Sequence, residues 1–244
     1  MPGTLEEGFP VKDLQKIVNT MHDAAQEAEI YIVTGDTKVV DKNHGDGIFI
    51  NTAGIGEIIT GSNIAPQNVK EDMDVIISGN IGDHAACIMA ARHSLALPDT
   101  LKSDCAPLNK LIYKILHAVP DIAVMRDATR GGTAAVLNEI AAQSATGIII
   151  DEAELPVRKE VAGFCDILGF DPLYLANEGK FVVFAAKKDT DKILKIMHED
   201  KYGRDACVIG KTNSQSPGEV GLHTIIGGIR IIDMPSGEQI PRIC

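Results

Sequence analysis

Tryptophan is absent, and the aromatics together make up only 4% of the 244 residues. With apolar residues at 45%, the core must therefore be built from Val, Ile, Leu and Ala. Basic residues are in deficit: 23 Lys and Arg face 34 Asp and Glu, a net charge of −11. That balance argues against nucleic acid as a partner and fits a chain that meets small molecules or other proteins. No apolar run approaches the length needed to cross a bilayer, so no membrane partner is expected. Met1 to Glu7 has neither a basic n-region nor an apolar h-region and does not read as a signal peptide. The five cysteines, at 87, 105, 165, 207 and 244, include no C-x-x-C pair. A disulfide framework and a structural zinc site are both disfavoured, and a reducing cytoplasm is the expected setting. Cys244 is the last residue, whereas a prenylation box needs its cysteine fourth from the end. G-x-S-x-G, P-loop and H-E-x-x-H motifs are missing, as is a G-x-G-x-x-G after a strand, so nothing suggests hydride transfer. There is no internal repeat and no low-complexity tract.

What is present is an alternation of apolar strands and amphipathic helices. Val11, Leu14, Ile17, Val18, Met21, Ala25 and Ala28 recur at three- and four-residue spacing, which predicts a helix over Val11 to Glu29 behind Pro10. Ile30 to Thr34 reads as a short buried strand. Ile48 to Ile58 reads as a second, with bulges at Gly54 and Gly56. A segment rich in Gly, Ser, Asn and Pro, Thr60 to Lys70, marks a boundary. Beyond it strands are expected at Asp74–Gly79, Ile122–Met125, Gly147–Ile150 and Phe181–Ala185. Shorter ones are expected near Ala206–Lys211, Leu222–Ile225 and Gly228–Ile232. Helices are expected over Ala85–Leu97, Pro107–Ala118, the stretch from Gly132 to Gln143, Arg158–Leu168 and Thr190–Glu199. Strands alternating with helices predict an α/β layer architecture, and the closing run of strands predicts a mixed sheet.

Four polar clusters interrupt this rhythm at strand ends. In Gly35-Asp36-Thr37-Lys38, the aspartate can hold a metal bound to phosphates and the lysine can reach a developing charge. The same four residues also read as a turn with a solvated lysine. Asp127-Ala128-Thr129-Arg130-Gly131-Gly132 joins a strand to a helix N-terminus. Backbone N–H groups there form an anion site, the glycines allow close approach, and Arg130 adds charge. Alternatively Asp127 or Thr129 merely caps the helix. Glu178, in Asn177-Glu178-Gly179, precedes an apolar strand, where a half-buried carboxylate can act as a base or be an ordinary loop residue. Gly82-Asp83-His84 is the weakest cluster, since a histidine there is more often a first-turn residue than a catalyst. The last ten residues, Pro235 to Cys244, hold two prolines and a glycine and cannot form a helix or central strand. They place a thiol on a short extended arm, or Cys244 is simply where the chain stops. Its own α-carboxylate disfavours a thiolate, and Arg242 offsets that only partly, so the thiol needs a site to dock into.

Together, Val33-Thr34-Gly35-Asp36-Thr37-Lys38-Val39-Val40, Asn51-Thr52-Ala53-Gly54, Gly82-Asp83-His84, Arg126 to Gly132, Ala176-Asn177-Glu178-Gly179-Lys180 and the terminal Pro241-Arg242-Ile243-Cys244 resemble the HypE family of hydrogenase maturation factors. The resemblance runs over essentially the whole chain. The wider superfamily includes aminoimidazole ribonucleotide synthetase, selenophosphate synthetase and thiamine-monophosphate kinase. The resemblance implies a two-domain PurM-like α/β architecture. Residues 1–63 would be the remainder of an ATP-binding, dimerising N-terminal domain, 64–234 an α/β C-terminal domain and 235–244 a carrier tail. The family carries a further segment ahead of the point where this sequence begins, with a Gly-Ser-Gly-Gly stretch and aspartate motifs that help bind ATP and magnesium.

The chemistry implied by the resemblance is specific. The carbamoyltransferase HypF loads a carbamoyl group onto the terminal cysteine, here Cys244. ATP and Mg2+ then serve to dehydrate that thiocarboxamide to a thiocyanate, and the cyano group passes to the iron of a HypC–HypD complex. By position, Asp36 resembles the family's metal–phosphate aspartate, and Asp127 is a second metal candidate. Asp127, Arg130, Gly131 and Asn177 would lie near the nucleotide. Glu178 is assigned as base and Lys38 as charge stabiliser, with their roles exchangeable and His84 as the fallback base. The expected activity is that of an ATP-dependent carbamoyl dehydratase. The competing reading is a non-catalytic module that accepts the carbamoyl group and docks partners. Other superfamily activities come third, because they need no terminal cysteine.

Overall fold

The computed structural model describes residues 2–59 and 61–236. The chain divides into two compact units, Met1–Thr60 and Gly61–Cys244. The Cys244 tail lies outside the described residues.

The first unit is a helix with a three-stranded sheet. Strand β1 (Pro2–Glu6) precedes helix α1 (Val11–Ala28), followed by β2 (Asp36–Val40) and β3 (Ile48–Ile50). β1 is central, parallel to β2 and antiparallel to β3. The Pro and Gly at its start hide β1 from sequence patterning, although proline is tolerated as the first residue of a strand. α1 follows its apolar spacing and stops at Glu29, which adopts the left-handed conformation with φ 56°. The Ile30 N–H returns to the Ala25 carbonyl, a helix-terminating bond. The strand expected over Ile30 to Thr34 is not formed. Tyr31 and Val33 are 91% and 88% exposed, and the ladder to β1 takes up Asp36–Val40 instead. The second expected strand is cut to three residues, because its pairing with β1 ends at Gly3 opposite Ile50.

The second unit is built on a seven-stranded sheet. Its elements are β4 (Met73–Ile77), α2 (Asp83–Arg92), α3 (Asn109–Ala118), β5 (Val124–Asp127), α4 (Gly132–Ser144), β6 (Gly147–Asp151), α5 (Lys159–Leu168), β7 (Phe181–Ala186), α6 (Lys187–His198), β8 (Cys207–Asn213), β9 (Val220–His223) and β10 (Ile229–Ile231). Strand order is β10-β9-β6-β8-β4-β7-β5. Every neighbouring pair is antiparallel except β6 and β9, so the sheet is mixed. Side chains alternate across the pleat. Val75, Ile77, Val182, Phe184, Ile148 and Ile150 join the apolar face of α4, through Val136, Leu137 and Ile140, in one core. On the other side α6 packs against β4 and β7 and meets α3. A separate cluster pins α2 to α5, with Ala85, Ala86 and Met89 against Val161, Phe164 and Cys165.

Two boundaries matter for the site. α2 ends five residues earlier than its pattern suggests, because Ser94 turns left-handed (φ 53°) and the Leu95 N–H bonds the Ala90 carbonyl. That frees the chain from Leu95 to Leu108 to run as an irregular segment. β5 lies two residues later than expected, since the β7 ladder pairs Val124 with Phe184 and Asp127 with Phe181. Arg126 and Asp127 thus stand on the strand itself.

Candidate active site

One end of the second sheet gathers three loops. β4 runs out into Ser78 and Gly79, β5 into Ala128, and β7 begins just after Asn177-Glu178-Gly179-Lys180. The Ser78 N–H donates to the Phe181 carbonyl at 3.0 Å, and the Phe181 N–H returns to Ser78 Oγ at 3.1 Å. The Ala128 N–H donates to the Lys180 carbonyl at 3.0 Å. Asn177 locks the three together. Its Oδ1 accepts from the Gly82 N–H at 2.8 Å, and its Nδ2 donates to the carbonyls of Ala128 (2.9 Å) and Leu175 (3.1 Å). Fully buried and occupied by backbone, Asn177 shapes the site through the loops it ties and has no free face for a nucleotide.

Glu178 stands at the middle of this frame. Its Oε1 is buried and has no hydrogen-bond partner. A buried carboxylate oxygen without a donor is costly and rare, and it marks a place where a proton or a ligand N–H belongs. The Glu178 backbone N–H donates to Asp104 Oδ1 at 3.0 Å. Gly179 is obligatory here, because a Cβ would lie 1.9 Å from the Asp104 carbonyl oxygen. Lys180 Nζ sits 3.8 Å from Asp104 Oδ2, with both side chains largely buried. The segment Lys102–Ala106 therefore forms a wall against Glu178. Sequence reasoning passed over this segment. Its signal was a polar run, Lys102-Ser103-Asp104-Cys105, closed by Pro107 between two helices.

His84, in the first turn of α2, is buried. Its Nδ1 is 2.8 Å from Ser103 Oγ, and its Nε2 has no partner. Beside it Asp83 bonds Arg158 Nε at 3.0 Å, while its Oδ1 stays unpartnered. Burial pushes the Asp83 carboxyl above its ordinary value, against the opposing pull of the Arg158 guanidinium. Arg158 too was missed as a site residue. Asp127, Arg130 and Gly131 lie on the other flank. Asp127 is exposed, accepts from Thr129 Oγ1 at 3.0 Å, and Arg126 Nε is 3.9 Å away. Neither Asp127 nor Thr129 caps α4. The N-cap is Gly131, with φ 72° and no side-chain bond to the helix. Gly132 is equally constrained, since a Cβ would sit 2.5 Å from the carbonyl oxygens of Leu173 and Leu175. The helix thus opens on backbone N–H groups beside an exposed Arg130, a donor set that suits phosphate oxygens.

Asp36 and Lys38 are carried by the first unit. They stand two residues apart on β2, opposite Pro2 and Thr4 of β1, so they share one face of the strand, and both are exposed. Among the described residues no group of three or more His, Cys, Asp or Glu side chains is gathered as a metal site. Asp127 offers a carboxylate beside the phosphate-type donors of α4. That fits magnesium in the manner of a nucleotide-borne ion, held by one or two carboxylates and by phosphate oxygens.

The two units correspond to two family models. Residues 3–58 match the N-terminal domain of AIR synthase related proteins, and residues 70–223 match their C-terminal domain. The fold is that of this class. The carbamoyl dehydratase HypE of Rhodobacter capsulatus is 47% identical over 98% of this chain and 71% of its own length. A solved structure of the hydrogenase maturation protein HypE in complex with ATP superposes with a TM-score of 0.95 at 40% identity. That match covers 100% of this chain and 74% of that one. HypE in a HypE–HypF complex matches with a TM-score of 0.91 at 48% identity, covering 96% of this chain and 76% of that one. The chain belongs to the HypE carbamoyl dehydratase family.

Proposed function

We propose that the protein is an ATP-dependent carbamoyl dehydratase of [NiFe]-hydrogenase maturation. It would accept a carbamoyl group on Cys244 from the carbamoyltransferase HypF, dehydrate it to a thiocyanate, and donate cyanide to the iron of a HypC–HypD complex. The observation that carries the reading is the unpartnered, buried Oε1 of Glu178, held in place by a backbone that Asn177 and Asp104 fix from two sides. Removing water from a primary amide requires both N–H protons to leave the nitrogen. A positioned carboxylate with an unoccupied oxygen is the group suited to take them.

In this reading the Glu178 carboxylate accepts the amide protons. Lys38 offsets the negative charge that develops on the amide oxygen. Arg130 and the open N-terminus of α4 bind the phosphates, and the carboxylates that would hold Mg2+ are Asp127 and, on the first unit, Asp36. ATP supplies the phosphoryl group that converts the amide oxygen into a leaving group, and Mg2+ shares its charge. Among the described residues no helix is long and apolar enough to cross a membrane. A homodimer is part of the reading, as in the family.

The test is the mass of the C-terminal peptide with time, in a mixture of this chain, HypF, carbamoyl phosphate, ATP and Mg2+. A carbamoyl adduct on Cys244 that then loses one water, and only when ATP is present, is the expected result. Stable loading without loss of water would overturn the dehydratase reading in favour of the acceptor module. No loading at all would overturn both.

A further inference from the structure

A cavity of about 250 Å³ lies beside the Glu178 frame, and its lining includes Ser78, Asp83, Asp104 and Cys105 together with the cations Arg158 and Lys180. Two features of it are unexplained by the dehydratase reading. Asp83 Oδ1 and Asp104 Oδ2 are both buried without a hydrogen-bond donor, and their side chains are only 7% and 3% exposed. A wall with two unfilled acceptors calls for a ligand with N–H donors. Arg158 pairs with Asp83 through the other oxygen, Oδ2, and Lys180 Nζ faces Asp104 Oδ2 from 3.8 Å, too far for a hydrogen bond, so neither cation fills a vacant position as a donor.

The second feature is a thiol at the same cavity. Cys105 is exposed, and its sulfur accepts from Ser103 Oγ at 3.1 Å. Ser103 Oγ lies 2.8 Å from His84 Nδ1, and the sulfur itself is 3.7 Å from that nitrogen. The three atoms form a relay: thiol, hydroxyl, imidazole. Among the described residues the ring partners of His84, Ser103 Oγ and Cys105 Sγ, both lie at Nδ1, and the relay uses the tautomer in which that nitrogen accepts. The other described cysteines differ. Burial pushes the thiols of Cys165 and Cys207 up to about 11. Cys87 is raised by burial and by Asp83 and Asp104.

We propose that this cavity is a covalent site, in which Cys105 is a nucleophile toward a small electrophile bearing a primary amide, with His84 as its base through Ser103. The amide N–H groups fill Asp83 Oδ1 and Asp104 Oδ2. The Ser103 hydroxyl first turns its proton from the sulfur to His84 Nδ1; the Cys105 proton then moves to Ser103 Oγ as the hydroxyl proton moves to His84 Nδ1. The sulfur lone pair forms a bond to the electrophilic carbon while that carbon's bond to its leaving group breaks. The leaving group departs with the electron pair, and no oxidant or reductant is consumed. A carbamoyl group belongs to this ligand class, but the cavity argument does not depend on the carrier role of Cys244.

The experiment uses the full chain and 2-chloroacetamide, with each cysteine peptide quantified by mass spectrometry after quenching. Labelling of Cys105 is expected to saturate with probe concentration and to be slowed by acetamide, which has the amide and no leaving group. The chloroacetamide-to-chloroacetate rate ratio at Cys105, divided by the same ratio for glutathione, is expected to reach about tenfold, equivalent to about 1.4 kcal/mol. Ser103→Ala, on an exposed segment, should slow Cys105 labelling at least about tenfold, and His84→Gln at least about as much. A rate linear in probe and insensitive to acetamide overturns the amide site, and an unchanged rate in Ser103→Ala overturns the relay. Should His84→Gln fail to fold, wild-type saturation and Ser103→Ala still decide. Because only the Cys105 peptide is read, failure here leaves the Cys244 reading intact.

Discussion

At the residue scale the site rests on carboxylates in unequal surroundings. Glu178→Gln keeps the shape of the side chain and removes the proposed base. Loading of Cys244 should proceed, and loss of water should slow by about 10²–10⁴-fold, the usual worth of a positioned base. Lys38→Met should stall at the same stage through loss of charge stabilisation. The time course of the C-terminal peptide mass checks both, and water loss at the wild-type rate in both variants would move the base elsewhere, first to His84. Asp83 gives a separate prediction about pH. Its folded value lies above the ordinary 3.8, with burial as the main cause. On raising the pH, the unfolded chain releases this proton first, so the folded state loses stability between the unfolded and folded values. Asn at this position does not titrate. Wild type should therefore fall in stability relative to Asp83→Asn as pH rises through that window. Urea unfolding at a series of acidic pH values measures it, and parallel curves for the two proteins would refute it.

At the scale of elements, the site is the meeting of three strand ends, and Asn177 is the joint. Asn177→Ala leaves the Gly82 N–H and the Leu175 carbonyl short of partners in a buried place, while the Ala128 carbonyl keeps the backbone N–H of residue 177. Each unsatisfied buried group costs about 1–3 kcal/mol, so a net loss of about 3 kcal/mol is expected by denaturant titration. A loss under about 1 kcal/mol would mean that water replaces the amide. Much of this architecture was legible in sequence. The apolar periods of α1, α4 and α6 and the apolar runs Val75–Ile77 of β4 and Phe181–Ala186 of β7 are strong local signals, and they fall where expected. The clusters at Asp127–Gly132 and Asn177–Lys180 were visible because polar residues interrupt those runs at strand ends. The failures have physical causes as well. β1 carries no apolar alternation, and its place is set by pairing with β2 and β3. Ile30 to Thr34 has the composition of a strand but no ladder to join. The Ser103–Cys105 wall contacts Glu178 and His84 across a long loop, through bonds that no spacing rule encodes.

At the scale of the whole molecule the two units are unequal. The second buries a continuous apolar core, while in the first Ala28 is the one hydrophobic side chain buried among the described residues. Val11, Val18, Ile30, Tyr31, Val33, Phe49, Ile55 and Ile58 of the first unit are all more than half exposed. An apolar surface of that extent is unfavourable in water, and its edge strands β2 and β3 have backbone groups open to pairing. The expected consequence is association between copies of the chain through the first unit, growing with concentration. Light scattering over a wide concentration range should show a rising mean mass. Phe49→Lys, on an edge strand and 57% exposed, should suppress it, because burying that charge in an interface is costly. The second unit provides the internal control, since its core does not involve these residues: denaturant unfolding followed there should be unchanged by Phe49→Lys to within about 0.5 kcal/mol. A monomer at every concentration would refute the prediction. Association unaffected by Phe49→Lys would move the contact to another face.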